Sequence, residues 1–306
     1  FWFGRYAERC EATARLLRAA LTRLVEQASM SDEAASRSGW PALITLLRRD
    51  GILGAEQDVG DDVDLVRALR SAIVDESRPG LAASLAQLLR MASQLRERLS
   101  VDNWRLLNQM TRPQGAEQPP LALLDALTRL DRTVVELMTL SGFALDGMTR
   151  DQGWRFLSIG RRSERLQWAC AALRAALALP REGELDWLLE LFDSSLTYRS
   201  RYRTQPQWLP VLDLLVRDES NPRSIAFQLK GLQDFLQRIE RRDRCSTVRV
   251  RIVHRGYPNS RHVDAVPNPT RPRGLRPRSA HRPCVARHPT WSECHATSRV
   301  PVWPGR

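Results

Sequence analysis

Two glutamates recur in one short frame. Gly4-Arg5-x-x-Glu8-Arg9 returns as Gly160-Arg161-x-x-Glu164-Arg165, 156 residues later. On a helix each frame groups one carboxylate with two guanidiniums at three- and one-residue spacing. At about 100° per residue, Glu8 falls opposite Leu17 and Glu164 opposite Leu173. Neither acid points at its helix's leucine stripe, so the plain expectation is a solvated pair worth a few tenths of a kcal/mol. The glycine four residues before each glutamate argues the other way. A helix-interior Gly costs about 1 kcal/mol relative to Ala, and close approach of two helices would explain both. The two frames would then face each other across a pseudo-twofold axis and gather two carboxylates and four guanidiniums. Such a centre serves either as a structural ion-pair network or as a ligand or catalytic site. Arg5, Arg9, Arg161 and Arg165 are its candidate binding residues.

Two further segments could carry chemistry. Glu76-Ser77-Arg78-Pro79 and Glu219-Ser220-Asn221-Pro222-Arg223-Ser224 read as helix starts, with Ser and Asn as caps and Pro in the first turn. The second also suits an exposed helix N-terminus at which Asn221 and Arg223 hold a phosphate or carboxylate. Met148 to Trp154 is a polar loop entering a long helix, with Asp151 as its cap. Acid–base catalysis would rest on Glu8, Glu164 or Asp151, because residues 1–244 contain no His. That absence excludes Ser-His-Asp and Cys-His sites and His-ligated metal within the domain. Lys230 is the only Lys and no P-loop occurs, so nucleotide binding of that type lacks its lysine. No cofactor and no metal are expected, and catalysis is less expected than a binding role.

The elements that must position these residues are helical. Residues 4–28 form an amphipathic helix with Tyr6, Cys10, Leu17, Leu21, Leu24 and Ala28 on one stripe. Helices are expected at about 41–49 and 62–75, from Pro79 through Leu99, and around Trp104, Leu107 and Met110. A Pro-rich loop over 111–120 precedes a helix over 121–140 that Gly142 ends. Further helices fall at about 151–178, 184–202, 208–217 and 222–242, and no alternating strand pattern interrupts them. No run approaches the roughly 18 apolar residues of a membrane helix.

Charge divides the chain at residue 244. The formal charge is +12 over 306 residues, but residues 245–306 hold 12 Arg against Asp264 and Glu293. That stretch also has all five His and nine of eighteen Pro, without periodicity, as in a chain that buries no core. Residues 245–306 are read as a disordered or aberrant tail, or as a basic arm for nucleic acid or an anionic surface. Cys284, His288, Cys294 and His295 match no closed zinc spacing. Cys10 and Cys170 lie in helical patterns and form no disulfide framework, so a reducing cytoplasm is the expected compartment. The opening at Phe1 rather than Met places the expected start upstream.

Three collinear matches point to an internal duplication over about 1–100 and 151–244. Besides the Gly-Arg frame, Trp40, Leu46, Leu47, Arg49 and Asp50 recur as Trp208, Leu214, Leu215, Arg217 and Asp218. Glu76-Ser77-x-Pro79 recurs as Glu219-Ser220-x-Pro222. A block around 51–75 with Asp58, Asp61, Asp62 and Asp64 has no counterpart and reads as an inserted acidic loop and helix. The fold expected is an all-α bundle of two duplicated helical units with pseudo-twofold symmetry.

Taken together, Phe1-Trp2-Phe3-Gly4-Arg5-Tyr6-Ala7-Glu8-Arg9, Met148-Thr149-Arg150-Asp151, Gly153-Trp154-Arg155-Phe156-Leu157, Gly160-Arg161-Arg162-x-Glu164-Arg165 and Asn221-Pro222-Arg223-Ser224-Ile225-Ala226-Phe227-Gln228-Leu229 resemble the bacterial alpha-E family. Trp104-x-x-Leu107-Asn108 is similar to it as well. The resemblance covers about 1–242. It implies an all-helical domain of unknown function that accompanies a circularly permuted ATP-grasp peptide ligase and a transglutaminase-like cysteine peptidase. The family's characteristic glutamate maps onto Glu8 and, in the second frame, Glu164. The implied role is an accessory or scaffold protein in peptide ligation or modification. The alternatives are a carboxylate-based enzyme using the paired frames, and nucleic-acid or anionic-surface binding through the tail.

Overall fold

A computed structural model describes residues 1–29, 39–55, 62–111, 121–178 and 185–245. Among the described residues there are eleven α-helices and no strand, so the protein is all-α. The Pro-rich stretch 112–120, Asp58, Asp61, Pro180, Gly183 and the tail beyond 245 lie outside them.

Two long helices carry the Gly-Arg frames, α1 (Trp2–Ser29) and α7 (Gln152–Leu177), and they pack on each other. Helix α1 also touches α2 (Trp40–Arg49), α3 (Asp62–Val74), α4 (Leu81–Ser93), α6 (Leu123–Asp146) and α8 (Asp186–Leu191). This overturns the single leucine stripe. From Thr13 to Leu24 only Arg18 and Thr22 escape full burial. The reason is composition: Ala14, Ala19 and Ala20 let neighbours approach the faces that Leu16, Leu17 and Leu21 do not fill. Each fully buried Leu contributes about 1.5–3 kcal/mol.

The remaining elements surround this pair. Helix α5 (Val101–Met110), capped by Ser100, joins α4 to α6. After α8 come α9 (Ser195–Tyr202), α10 (Trp208–Leu212) continuing into a π-helical turn over Asp213–Arg217, and α11 (Ile225–Cys245), which lies on α7. Helix α3, expected within an acidic insertion, supplies Leu65, Leu69 and Ile73 to the core.

Several boundaries differ from the sequence expectation. Helix α4 stops at Ser93 and a 3-10 turn over Arg96–Arg98 follows, so Leu99 lies beyond it. Pro79 sits outside the helix, because Gly80 occupies the N-cap. Residues 184–202 hold two helices, broken where Asp193 adopts φ 51°. Helix α6 runs through Gly142 to Asp146, carried by the buried Leu137, Leu140 and Ala144. Gly147 takes the C-cap instead.

The closest approach of α1 and α7 is set by the two glycines of the repeated frame. A Cβ built on Gly4 would stand 2.3 Å from the Leu157 carbonyl oxygen, and one on Gly160 would stand 2.1 Å from that of Phe1. Backbone atoms cannot give way as a flexible side chain can. We therefore expect Gly160→Ala to lower stability by about 1–3 kcal/mol in urea unfolding, against its helix propensity. Gly142→Ala, whose Cβ meets nothing within 4 Å, should raise it by up to about 1 kcal/mol. Equal shifts for the two substitutions would contradict the crossing geometry.

Candidate functional site

The glycine crossing brings the glutamates of the two frames into reciprocal pairing. Glu8 on α1 accepts from Arg161 Nε at 2.7 Å and from Arg165 Nε and a terminal nitrogen, both at 2.8 Å, on α7. Glu164 on α7 accepts from Arg5 Nε at 2.5 Å and Arg9 Nε at 2.7 Å on α1. Each carboxylate therefore lies between two guanidiniums of the opposite helix. Glu8 is 5% and Glu164 8% exposed, so the solvated i,i+3 pair is not what forms. The face opposite the leucine stripe is buried too, against the partner helix. Phe1 and Trp2 lie 5.9 and 5.5 Å from the Arg5 guanidinium, and Tyr6 5.2 Å from that of Arg9. These contacts add cation–π attraction.

A second cluster extends the first, and the sequence frames alone did not mark it. Glu11, one turn after Glu8, pairs with Arg15 at 3.1 Å, Arg223 at 2.8 Å and Arg165 at 3.8 Å. Arg15 and Arg223 also share Asp193 Oδ2, each at 3.0 Å. Arg165 thus links Glu8 to Glu11 and joins the two clusters. Burial alone would raise the Glu11 carboxyl, but Arg223, Arg165 and Arg15 hold it down at about 2. Arg223 is raised despite burial, by Glu11, Glu8 and Asp193. Arg165 is lowered by burial, with Arg223 and Arg161 adding repulsion against the pull of Glu8 and Glu11. At the offset of the repeated frame, Glu11 corresponds to Gln167, which is exposed and accepts from Arg5 at 2.6 Å. The two ends of the centre are therefore chemically unequal. Asp50 lies near the Glu164 end, its carboxyl raised by burial and by Glu164 against the pull of Arg49 and Arg9.

Arg223 is presented by the Asn221-Pro222-Arg223-Ser224 segment. Asn221 Nδ2 donates to the Leu214 carbonyl at 3.1 Å, and its Oδ1 accepts from the Arg223 amide at 3.0 Å. Ser224 caps α11 by accepting from the Phe227 amide at 3.0 Å. Asn221 and Ser224 are buried, which corrects the expectation of an exposed helix N-terminus open to an anion. The segment is a clamp that aims Arg223 at Glu11 instead. At Glu76–Pro79 and Glu219–Pro222 the preceding Asp75 and Asp218 each accept from the Ser amide and hydroxyl two residues on.

Asp151 stands apart. It caps α7 by accepting from the Trp154 amide at 2.9 Å and pairs with Arg98 at 2.5 Å. Thirteen residues of helix separate it from Glu164, about 20 Å at 1.5 Å per residue. It belongs to the helix start and not to the charged centre. Among the described residues no cluster of metal-ligating side chains occurs, and none of the described helices is long and apolar enough to cross a membrane.

Fold and centre together define a class: an all-helical domain whose two longest helices exchange Glu-Arg pairs across a glycine crossing. The chain belongs to the Alpha-E family, described as a predicted alpha-helical domain with a conserved ER motif, which matches residues 1–265. The match runs past the composition change at 244. Of the four Glu-Arg dipeptides in the sequence, at 8, 97, 164 and 240, those at 8 and 164 have buried glutamates, whereas Glu97 and Glu240 are exposed. Similar proteins include uncharacterised proteins of Mycobacterium tuberculosis (Rv2567) and Mycobacterium bovis (Mb2597). Each is 32% identical over 253 residues, covering 76% of this chain and 28% of the relative. The chain thus spans little more than a quarter of the length of these relatives. No solved structure matches.

Removing a partner from a buried ion pair costs about 3–5 kcal/mol. Glu8→Gln leaves Arg161 without a carboxylate and Arg165 with Glu11 alone, at 3.8 Å, and should destabilise by about 3 kcal/mol because both side chains are largely buried. Glu164→Gln should cost less, because the Arg9 side chain is 42% exposed and water can compensate it. Denaturant unfolding checks the order. Glu11 sets an acid limb. Its folded carboxyl at about 2 lies below the ordinary 4.5, so the stability it contributes is complete above about pH 4.5. That contribution is lost as pH falls from there toward 2. Glu11→Gln should flatten this part of the stability–pH curve.

Proposed function

We propose that the chain is a non-catalytic helical accessory domain of a peptide-ligation or peptide-modification system, working with an ATP-grasp-type ligase. The observation that carries this reading is the occupancy of the motif glutamates. Glu8 and Glu164 are each held by two guanidiniums, which occupy both oxygens of each carboxylate and leave neither within reach of a substrate proton without breaking a pair. That weighs against a carboxylate-based enzyme and favours a motif that fixes how α1 and α7 cross. Two further points support a partner. The relatives carry most of their length outside the match, and ATP-grasp and transglutaminase-like companions are what the family resemblance implies. In this reading the complex is cytoplasmic, and the tail beyond 244 takes no part in it.

The face offered to the ligase is on α6. Leu124, Val135, Met138 and Leu145 are 69%, 62%, 48% and 53% exposed. Their spacing puts them within about 80° of one another around the helix. Gly142 lies in the same arc with bare backbone. Apolar side chains aligned on one exposed helix face suit helix-against-partner docking.

Copurification of the full chain with an ATP-grasp-type ligase from the same genome tests this. We expect a stable complex that Met138→Glu weakens at least tenfold without lowering the melting temperature. Ligation should persist when a folded Glu8→Gln, Glu164→Gln double variant replaces the wild type. Product formation lost only in that folded variant would transfer the glutamates to the catalytic machinery, and no complex at all would remove the ligase partnership.

A further inference from the structure

Glycines within the helices of this fold mark places where something packs closely. Among the described residues Gly4, Gly153, Gly160 and Gly231 are such glycines, and a Cβ on any of them would collide with a group from elsewhere in the chain. The obstacles are the Leu157 carbonyl, the Arg98 guanidinium, the Phe1 carbonyl and the Arg162 guanidinium. Gly142 is the exception. It carries the same cost in helix propensity, yet nothing stands within 4 Å of its Cβ position. It lies in the exposed apolar arc of α6, whose other polar groups are engaged within the fold. Thr128 and Thr139 donate to the Leu124 and Val135 carbonyls at 2.9 Å, Asp131 accepts from Arg18 at 3.0 Å, and Arg132 pairs with Glu136 at 2.9 Å. Arg150, beyond the helix end, turns to the Leu145 carbonyl and the Trp154 ring. One carboxylate is left at each end of the arc, Asp125 and Asp146, both exposed and without an ion pair among the described residues. They stand about 30 Å apart along the helix at 1.5 Å per residue.

We infer that the α6 face receives an amphipathic helix of the partner, apolar along its contact stripe, basic near both ends, and closest to α6 at Gly142. The inference rests on the reading that a partner docks on α6, and it states what that partner presents. A glycine lets a second helix approach to backbone distance, as Gly4 and Gly160 do between α1 and α7. Charge selects the occupant. Antiparallel pairing of two copies of α6 about Val135 and Glu136 would set Asp125 of one copy beside Asp146 of the other, and like charges so placed repel. A foreign helix with Lys or Arg near both ends meets the same two acids with the opposite sign. About 20 residues of helix span the distance.

The test uses two labelled peptides of about 20 residues, one of leucine and lysine and one of leucine and glutamate in the same helical pattern. Each is titrated with the full chain by fluorescence anisotropy, beside copurification of the chain with an ATP-grasp-type ligase. We expect saturable binding of the lysine peptide and at least tenfold weaker binding of the glutamate peptide, against the chain's overall positive charge. Gly142→Leu should weaken the lysine peptide and the ligase tenfold or more without lowering the melting temperature. Asp125→Lys combined with Asp146→Lys should abolish the preference for lysine. Peptide binding of this pattern with no ligase complex would remove the ligase and keep the face and its helical occupant. A ligase complex that all these folded variants leave unchanged would overturn the inference and keep the partnership. Binding of neither peptide, equal binding of both, or self-association of the wild-type chain that Gly142→Leu abolishes would also overturn it.

Discussion

The structure depends on one close crossing of two helices, at a distance only glycine permits. Gly4 and Gly160 each press against a carbonyl of the opposite helix. Glu8 and Glu164 then reach arginines that a wider separation would leave to water. Charges in this position are expensive to desolvate and are tolerated only when paired with good geometry. The crossing and the pairing therefore hold each other in place. The buried, alanine-rich middle of α1 continues from that layer, and the Asn221 segment presents Arg223 to its neighbour Glu11.

Much of this was legible in the sequence. Helical periodicity gave the long elements to within a few residues, and the recurrence of Gly with Glu four residues later pointed to a close approach. What was not legible depended on distant packing. Burial all round α1 arises because alanine is ambiguous in a periodic pattern, neither marking nor excluding a contact face. The end of α6 was misplaced because a single Gly is a weaker signal than three buried apolar residues around it. Glu11, Arg15 and Asp193 escaped notice because their partners come from three separate parts of the chain, and no short motif records such a meeting.

The two ends of this centre are unequal. At the Glu164 end Trp2 and Gln167 contact Arg5 and Tyr6 contacts Arg9, whose side chain is 42% exposed. The Glu11 end gains Asp193 through a left-handed turn between α8 and α9. Asp tolerates that conformation better than most residues. Shared frames thus support one reciprocal layer, while residues outside the frames make one side different.

The burial of α1 on all faces has a consequence for how the chain folds. An isolated helix gains little from its own hydrogen bonds in water, and its stability must come from neighbours. For α1 the decisive neighbours lie far along the chain: Arg165 is 157 residues from Glu8, and Arg223 is later still. At a synthesis rate of about 5–20 residues per second, the first helix emerges about 8–30 s before its main ion-pair partner exists. During that interval Glu8 and Glu11 are without their final partners on α7 and at Arg223, while α2, α3, α4 and α6 supply other contacts of α1. Long-range closure of this kind slows folding and leaves apolar surface open to wrong partners. Of the helices described, the earliest made is in this sense the last to be secured.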